Sequence, residues 1–168
     1  MIKSFKDKKP FIHETAFISE AAYVVGNVEI GENSSVWPGA VIRGDFGKVV
    51  IGKNTAVEDN CVIHTADHVE IGDNVIIGHN ATIHCKKLGN NCLIGIGAIL
   101  LQGAEIGDDC FIAAGALVTP NTKIPNGSMV KGSPAKVTEQ LTSDKIAMVR
   151  FGGETYAAMA QEYKKAGL

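Results

Sequence analysis

The chain has 168 residues, 16 Lys and Arg against 18 Asp and Glu, a formal charge of −2 and 45% hydrophobic residues. That balance excludes the basic footprint of a nucleic-acid binder. No secretory signal segment or apolar run of membrane-spanning length (~20 residues) interrupts it, so a cytoplasmic protein with no membrane partner is expected.

In chain order, the first ten residues, rich in Lys, read as an irregular lead-in. Aliphatic residues then recur every six positions at Ile12, Ile18, Val24, Ile30, Val36 and Ile42. The beat resumes at Ile51, Val57 and Ile63, then at Ile71, Ile77 and Ile83. It finally runs without a break from Leu88 through Ile94, Leu100, Ile106, Ile112, Val118 and Ile124 to Val130. A period of six matches neither the 3.6 of a helix nor the 2 of a long strand. It fits a short strand plus a corner, repeated as an internal array. The position four after each aliphatic residue is usually small, as at Ala40, Cys61, Ala81 and Ala98, which suits a narrow solenoid core. Gly, Asn and Asp follow at the corners, where unusual φ values are tolerated.

The first three breaks each fall after a third hexad, so three hexads form one coil of a triangular prism. Successive coils then stack about 4.8 Å apart. The expectation is an all-β solenoid, a parallel β-helix over residues 1–137, with a helical tail over 138–168 packed on its outside. The general rule for parallel crossovers favours right-handed coils. In the tail, Ser143 and Asp144 suit a helix start, Gly152-Gly153 reads as a break, and a second helix is expected from Glu154 to Lys165 with Tyr156, Met159 and Tyr163 on one face.

Polar residues open the interruptions. Arg43, His64 and His84 each occupy the second position of a third hexad, so they stack in one column at one corner. His64 and His84 lie one coil apart, close enough for two imidazoles to meet one ion through bonds of about 2.0–2.1 Å. His79 belongs to a different corner, with Asp59 at the matching place one coil earlier. The extended chain from His79 to His84 spans up to about 16 Å, too far for both to share one ion within a chain. If His79 is a ligand, its site is completed by another subunit, which suggests a cyclic homo-oligomer. A surface His is otherwise an ordinary solvated side chain, and His13 and His68 read that way. His68 sits in a short insertion, where it could instead be a mobile proton acceptor. Cys61, Cys92 and Cys110 read as reduced core thiols. Cys85 is out of that register beside His84, and none of the cysteines forms a Cys-x-x-Cys pair.

From about residue 10 to its end the chain resembles the γ-class carbonic anhydrases of the hexapeptide-repeat superfamily. The resemblance is carried by Arg43-Gly44-Asp45, Glu58-Asp59, Val62-Ile63-His64, Gly78-His79-Asn80, Ile83-His84 and Gly132-Ser133-Pro134-Ala135-Lys136. It implies a left-handed β-helix and a homotrimer with interfacial zinc sites, each using His64 and His84 of one subunit and His79 of its neighbour. It also implies reversible hydration of CO2 to bicarbonate. Three neutral His ligands leave a position for water, whose pKa a zinc ion lowers to about 7, carbonic anhydrase being the standard illustration of this effect. Ferrous iron or cobalt can occupy such a site. In the family's pattern Arg43 and Asp45 form a charged pair that helps tie subunits together, Asp59 orients a ligand, and Glu58 stands where Gln orients the reacting water. The chain departs from that pattern at Glu58, at Val130 in place of a Tyr, at Cys85 in a His-Gly-Cys run, and in a short loop after His64 holding only Asp67 and Glu70. Two other readings share the repeat. One is an acyltransferase using acyl-CoA; the other is a metal-binding relative with a thioesterase or non-catalytic role.

Overall fold

The computed structural model describes all of Met1–Leu168. Each hexad forms a short strand that pairs in parallel with its equivalents one coil before and after. Ile76–Ile77, for example, lies between Ala56–Val57 and Leu93–Ile94. Ile42, Ile63, Ile83, Leu100 and Val118 follow one another in register and are fully buried, which makes one inward column of the prism. The inward columns merge into one core of 33 residues. Each fully buried aliphatic side chain stabilises by about 1.5–3 kcal/mol, so these columns are the main cohesive element. Small inward positions carry polar groups only where a partner exists. Ser34 Oγ donates to the Gly52 carbonyl at 2.6 Å and Thr55 Oγ1 to Gly72 at 2.8 Å, and no buried side-chain polar atom is left unpaired.

The coil is a left-handed parallel β-helix. The right-handed rule draws on a twisted strand feeding a helix that packs back on its sheet. Here a corner takes a single residue with positive φ, so that cause does not operate. At one corner these residues include Asn33, Asn54, Asn74, Asn91 and Asp109, with φ of 55°, 51°, 56°, 53° and 56°. Asn and Asp tolerate this region through local hydrogen bonding. From Asn54 on, their side chains also form a ladder. Asn54 Nδ2 donates to Asn74 Oδ1 (3.1 Å), Asn74 Nδ2 to Asn91 Oδ1 (3.2 Å), and Asn91 Nδ2 to Asp109 Oδ1 (3.0 Å).

Two local expectations are corrected. The lead-in is not wholly irregular: Ile2–Lys3 adds a parallel strand against Val24–Val25. The tail is one continuous helix, α1 (Ser143–Ala166), and Gly152-Gly153 does not break it. A glycine costs a helix about 1 kcal/mol, but here the pair lies on the docking face. A Cβ at Gly152 would stand 2.8 Å from Ile76 Cδ1, and Gly153 is buried against the Asn74 backbone. The glycines therefore let α1 settle close to the solenoid. Thr142 caps its start by accepting the Lys145 N–H, and Gly167, at φ 74°, ends it.

Phe17, Trp37, Tyr156 and Tyr163 interlock edge-to-face between α1 and the prism, whereas Met159 faces outward. Arg150 Nη2 on α1 bonds Asp109 at 3.0 Å, at the far end of the Asn ladder. The helix is not long and apolar enough to cross a membrane.

Candidate metal centre

Strands Val41–Ile51 and Val62–His64 pair with Arg43 opposite His64, and Thr82–Ile83 extends the row so that His84 follows. The His64 and His84 ring centroids lie 5.6 Å apart at an interplanar angle of 41°. Two imidazoles bound tetrahedrally to one ion at ~2.0–2.1 Å have centroids about 5.2 Å apart. A small ring rotation separates the observed pair from that spacing.

Asp45 organises this corner. One oxygen is bonded to Arg43 Nη1. The other lies 3.0 Å from His64 Nε2 and accepts the Phe46 N–H at 3.1 Å. In the tautomer with Nε2 protonated, Asp45 fixes the His64 ring and leaves Nδ1 as the free donor atom. Burial alone would raise the Asp45 carboxyl, but the Arg43 charge, its backbone hydrogen bond and His64 together hold it below the ordinary value.

His79 stands apart from this pair and is part-exposed. Its Nδ1 lies 3.1 Å from Asp59 Oδ2, and its Nε2 lies 3.2 Å from Oε2 of the buried Glu58. The same Glu58 oxygen accepts the His79 backbone N–H at 2.9 Å. The seven predicted residues thus fall into two groups. Arg43, Asp45, His64 and His84 share one corner; Glu58, Asp59 and His79 share another. No three His, Cys, Asp or Glu side chains of one chain converge as a metal site.

The remaining candidates are placed elsewhere. His13 bonds locally to Thr15 Oγ1. His68 is exposed at the start of strand His68–Ile71. Cys85 is sealed in the core, where burial pushes its thiol up to about 12.

Sequence reasoning missed two neighbours. Tyr156 reaches from α1 toward Glu58, and burial first, then a hydrogen bond to Glu58 and its charge, raises the phenol. Its place on the same helical face as Gly152 and Gly153 was the available signal. Phe46, exposed, has its ring 5.9 Å from His64 and carries no motif.

Comparison with known proteins follows the same lines. The family described as bacterial transferase hexapeptide (six repeats) matches residues 9–44 and 86–120, and the hexapeptide repeat of succinyl-transferase matches residues 68–84. A carbonic anhydrase of Geobacillus kaustophilus is 40% identical, over 98% of this chain and 91% of its own length. Gamma carbonic anhydrase 1, mitochondrial, of Arabidopsis thaliana is 39% identical over 94% of this chain, which spans only 60% of that relative's length. The crystal structure of a hexapeptide transferase family protein from Anaplasma phagocytophilum superposes with a TM-score of 0.93 at 36% identity, covering 96% of this chain and 97% of that one. An N-acyltransferase of Bacillus cereus, AntD, shares the fold alone, at 14% identity, 89% and 90% coverage and a TM-score of 0.71. The chain belongs to the γ-class carbonic anhydrase-like family of hexapeptide-repeat proteins.

Proposed function

We propose that this protein is a metal-dependent lyase that hydrates CO2 reversibly to bicarbonate. Its metal would be zinc, with ferrous iron or cobalt as alternatives, held between subunits of a homotrimer by His64 and His84 of one subunit and His79 of the next. The observation that carries the reading is the stacked His64–His84 pair at near-coordinating spacing, with His79 turned to a separate corner. The donor set fits: neutral imidazoles suit a borderline divalent cation, and three of them leave a position open. Exposed apolar side chains beside the column, Phe46 near His64 and Val62 and Ile99 on the strands either side of Thr82–Ile83, support burial of this face against another copy.

When bound, the metal supplies a nucleophile at neutral pH by acidifying a water. The chain's own residues prepare the site for it. Asp45 orients His64, and Arg43 balances the carboxylate charge. Asp59 holds His79 at Nδ1, the outer-shell contact that fixes a ligand's tautomer and direction. Glu58 Oε2 keeps the His79 backbone N–H; with His79 Nε2 turned from Glu58 to the metal, this carboxylate would be the group beside the site that accepts a proton from the substrate side.

The test is subunit complementation. His79→Ala and His84→Ala each lose metal alone, while oligomers refolded from a mixture regain both metal and CO2 hydration. Full metal content in His79→Ala alone would overturn the shared site. A metal-loaded protein inactive with CO2 would overturn the lyase reading.

A further inference from the structure

The coil that turns after Ile83 is one residue short. The next aliphatic position, Leu88, follows after five residues instead of six. The chain cuts across the corner, and the Lys86 and Lys87 N–H groups both donate to the Ala104 carbonyl, at 2.9 and 3.3 Å. This removes an acceptor from the coil above. At other corners the residue with positive φ donates its N–H to a carbonyl one coil earlier. Asn80 donates to Asp59 at 3.0 Å, Gly97 to His79 at 2.9 Å, Gly115 to Ile96 at 2.9 Å and Asn121 to Gln102 at 3.0 Å. Gly103, at φ 75°, follows the short turn by one coil, and neither its N–H nor that of Gln102 has an acceptor within the protein.

A cavity of about 420 Å³ lies at this corner. Thr65, Asp67 and His68 line it from the coil before, Lys86 from the short turn, and Gln102, Gly103 and Asn121 from the coils after. It holds none of the seven residues assigned to the metal centre, and it lies past the His64–His84 column, at the turn into strands His68–Ile71 and Lys87–Leu88. Its volume is within the ~300–1,000 Å³ of sites that enclose a whole organic ligand, but its only hydrophobic lining residue is Cys85. Two successive free N–H groups form a concavity suited to an anion. Lys86 adds a positive charge and shares it only with Glu105, at 3.3 Å on the surface. Asp67 opposes a second negative charge on the ligand and accepts from a hydroxyl. The amides of Gln102 and Asn121 both donate and accept.

We infer that this cavity binds a monoanionic polyhydroxy acid. Its carboxylate rests on the Gln102 and Gly103 N–H groups and Lys86, and its hydroxyls bond Asp67 and the side-chain amides of Gln102 and Asn121. The binding is non-covalent and does not depend on the lyase reading.

Gluconate is the probe, followed by amide NMR of the full-length protein. The Gly103 amide should move downfield as gluconate is added, while the Gly97 amide, already bonded to His79, stays in place. Sorbitol, which lacks the charge, and hexanoate, which lacks the hydroxyls, should each bind about tenfold more weakly, and Lys86→Ala should weaken gluconate by about the same factor. Insertion of one glycine between Cys85 and Lys86 restores the six-residue spacing and returns a carbonyl to Gly103, so the gluconate shift should vanish in that variant. No movement of Gly103 overturns the inference, and so does a shift that sodium chloride or hexanoate produces equally well. Unchanged gluconate affinity in Lys86→Ala, an exposed position whose substitution leaves the core intact, overturns it even if the insertion variant does not fold.

Discussion

From Leu88 to Val130 the beat of six never slips, whereas from Ile42 to Leu88 the third hexad of each coil runs nine, eight and then five residues before the next aliphatic position (42 to 51, 63 to 71, 83 to 88). Both stretches build the same buried columns. All seven candidate site residues lie in the irregular stretch. Irregular length is absorbed at a corner, outside the core, so the coil can display unusual side chains there without disturbing its packing. Arg43, Asp45, His64 and His84 lie in the slipped hexads themselves, whereas Glu58, Asp59 and His79 lie in the six-residue hexads between them.

The sharpest way to break this contrast is to attack the core. In the regular stretch, Ile94→Ala should cost about 2–5 kcal/mol by chemical denaturation, and Ile77→Ala in the irregular stretch should cost the same. A much smaller cost at Ile77 would show that the interruptions loosen the core after all. Gly152→Leu comes next. It forces a side chain into Ile76 and should cost about 1–3 kcal/mol, while displacing Tyr156 from Glu58 and lowering the phenol's titration point toward its ordinary value.

Asp45→Asn should cost about 0.5–1 kcal/mol at neutral pH, since Arg43 is substantially exposed and its attraction is screened. The folded carboxyl titrates below its unfolded value. Its contribution is therefore present above the unfolded pKa of about 3.9 and lost as pH falls through the folded value. Denaturation curves of the two proteins should converge in strong acid, and a gap that widens on acidification would reverse the assigned sign. The smallest stability effect belongs to His84→Ala, within about 0.5 kcal/mol for the metal-free protein because the side chain lies outside the core, with metal content measured on the same sample.

The inward columns and the alignment of Arg43 with His64 were legible because both follow from counting positions in a fixed period. The tail was not. Gly152-Gly153 reads as a break when only local helix propensity is weighed, since the compensation is a close approach to Ile76 and Asn74, which are remote in sequence. The Glu58–Tyr156 contact was hidden for the same reason: it depends on how α1 docks. Ile2–Lys3 escaped notice because a two-residue strand offers no periodicity, only an edge to pair with.

The Asn ladder has a direction. Each amide from Asn54 on donates to the next member, and Asn74 and Asn91 also accept from the one before, until Asp109, a carboxylate that can only accept and is met by Arg150. An interior coil bearing Asn at this corner is therefore interchangeable with its neighbours, amide for amide, and duplication or excision of one leaves every donor matched. The coil bearing Asp109 is not interchangeable, because an extra rung beyond it would have to displace the arginine. Along this edge the solenoid can change length by recombination from within, while the level at which the helical tail clasps it stays fixed.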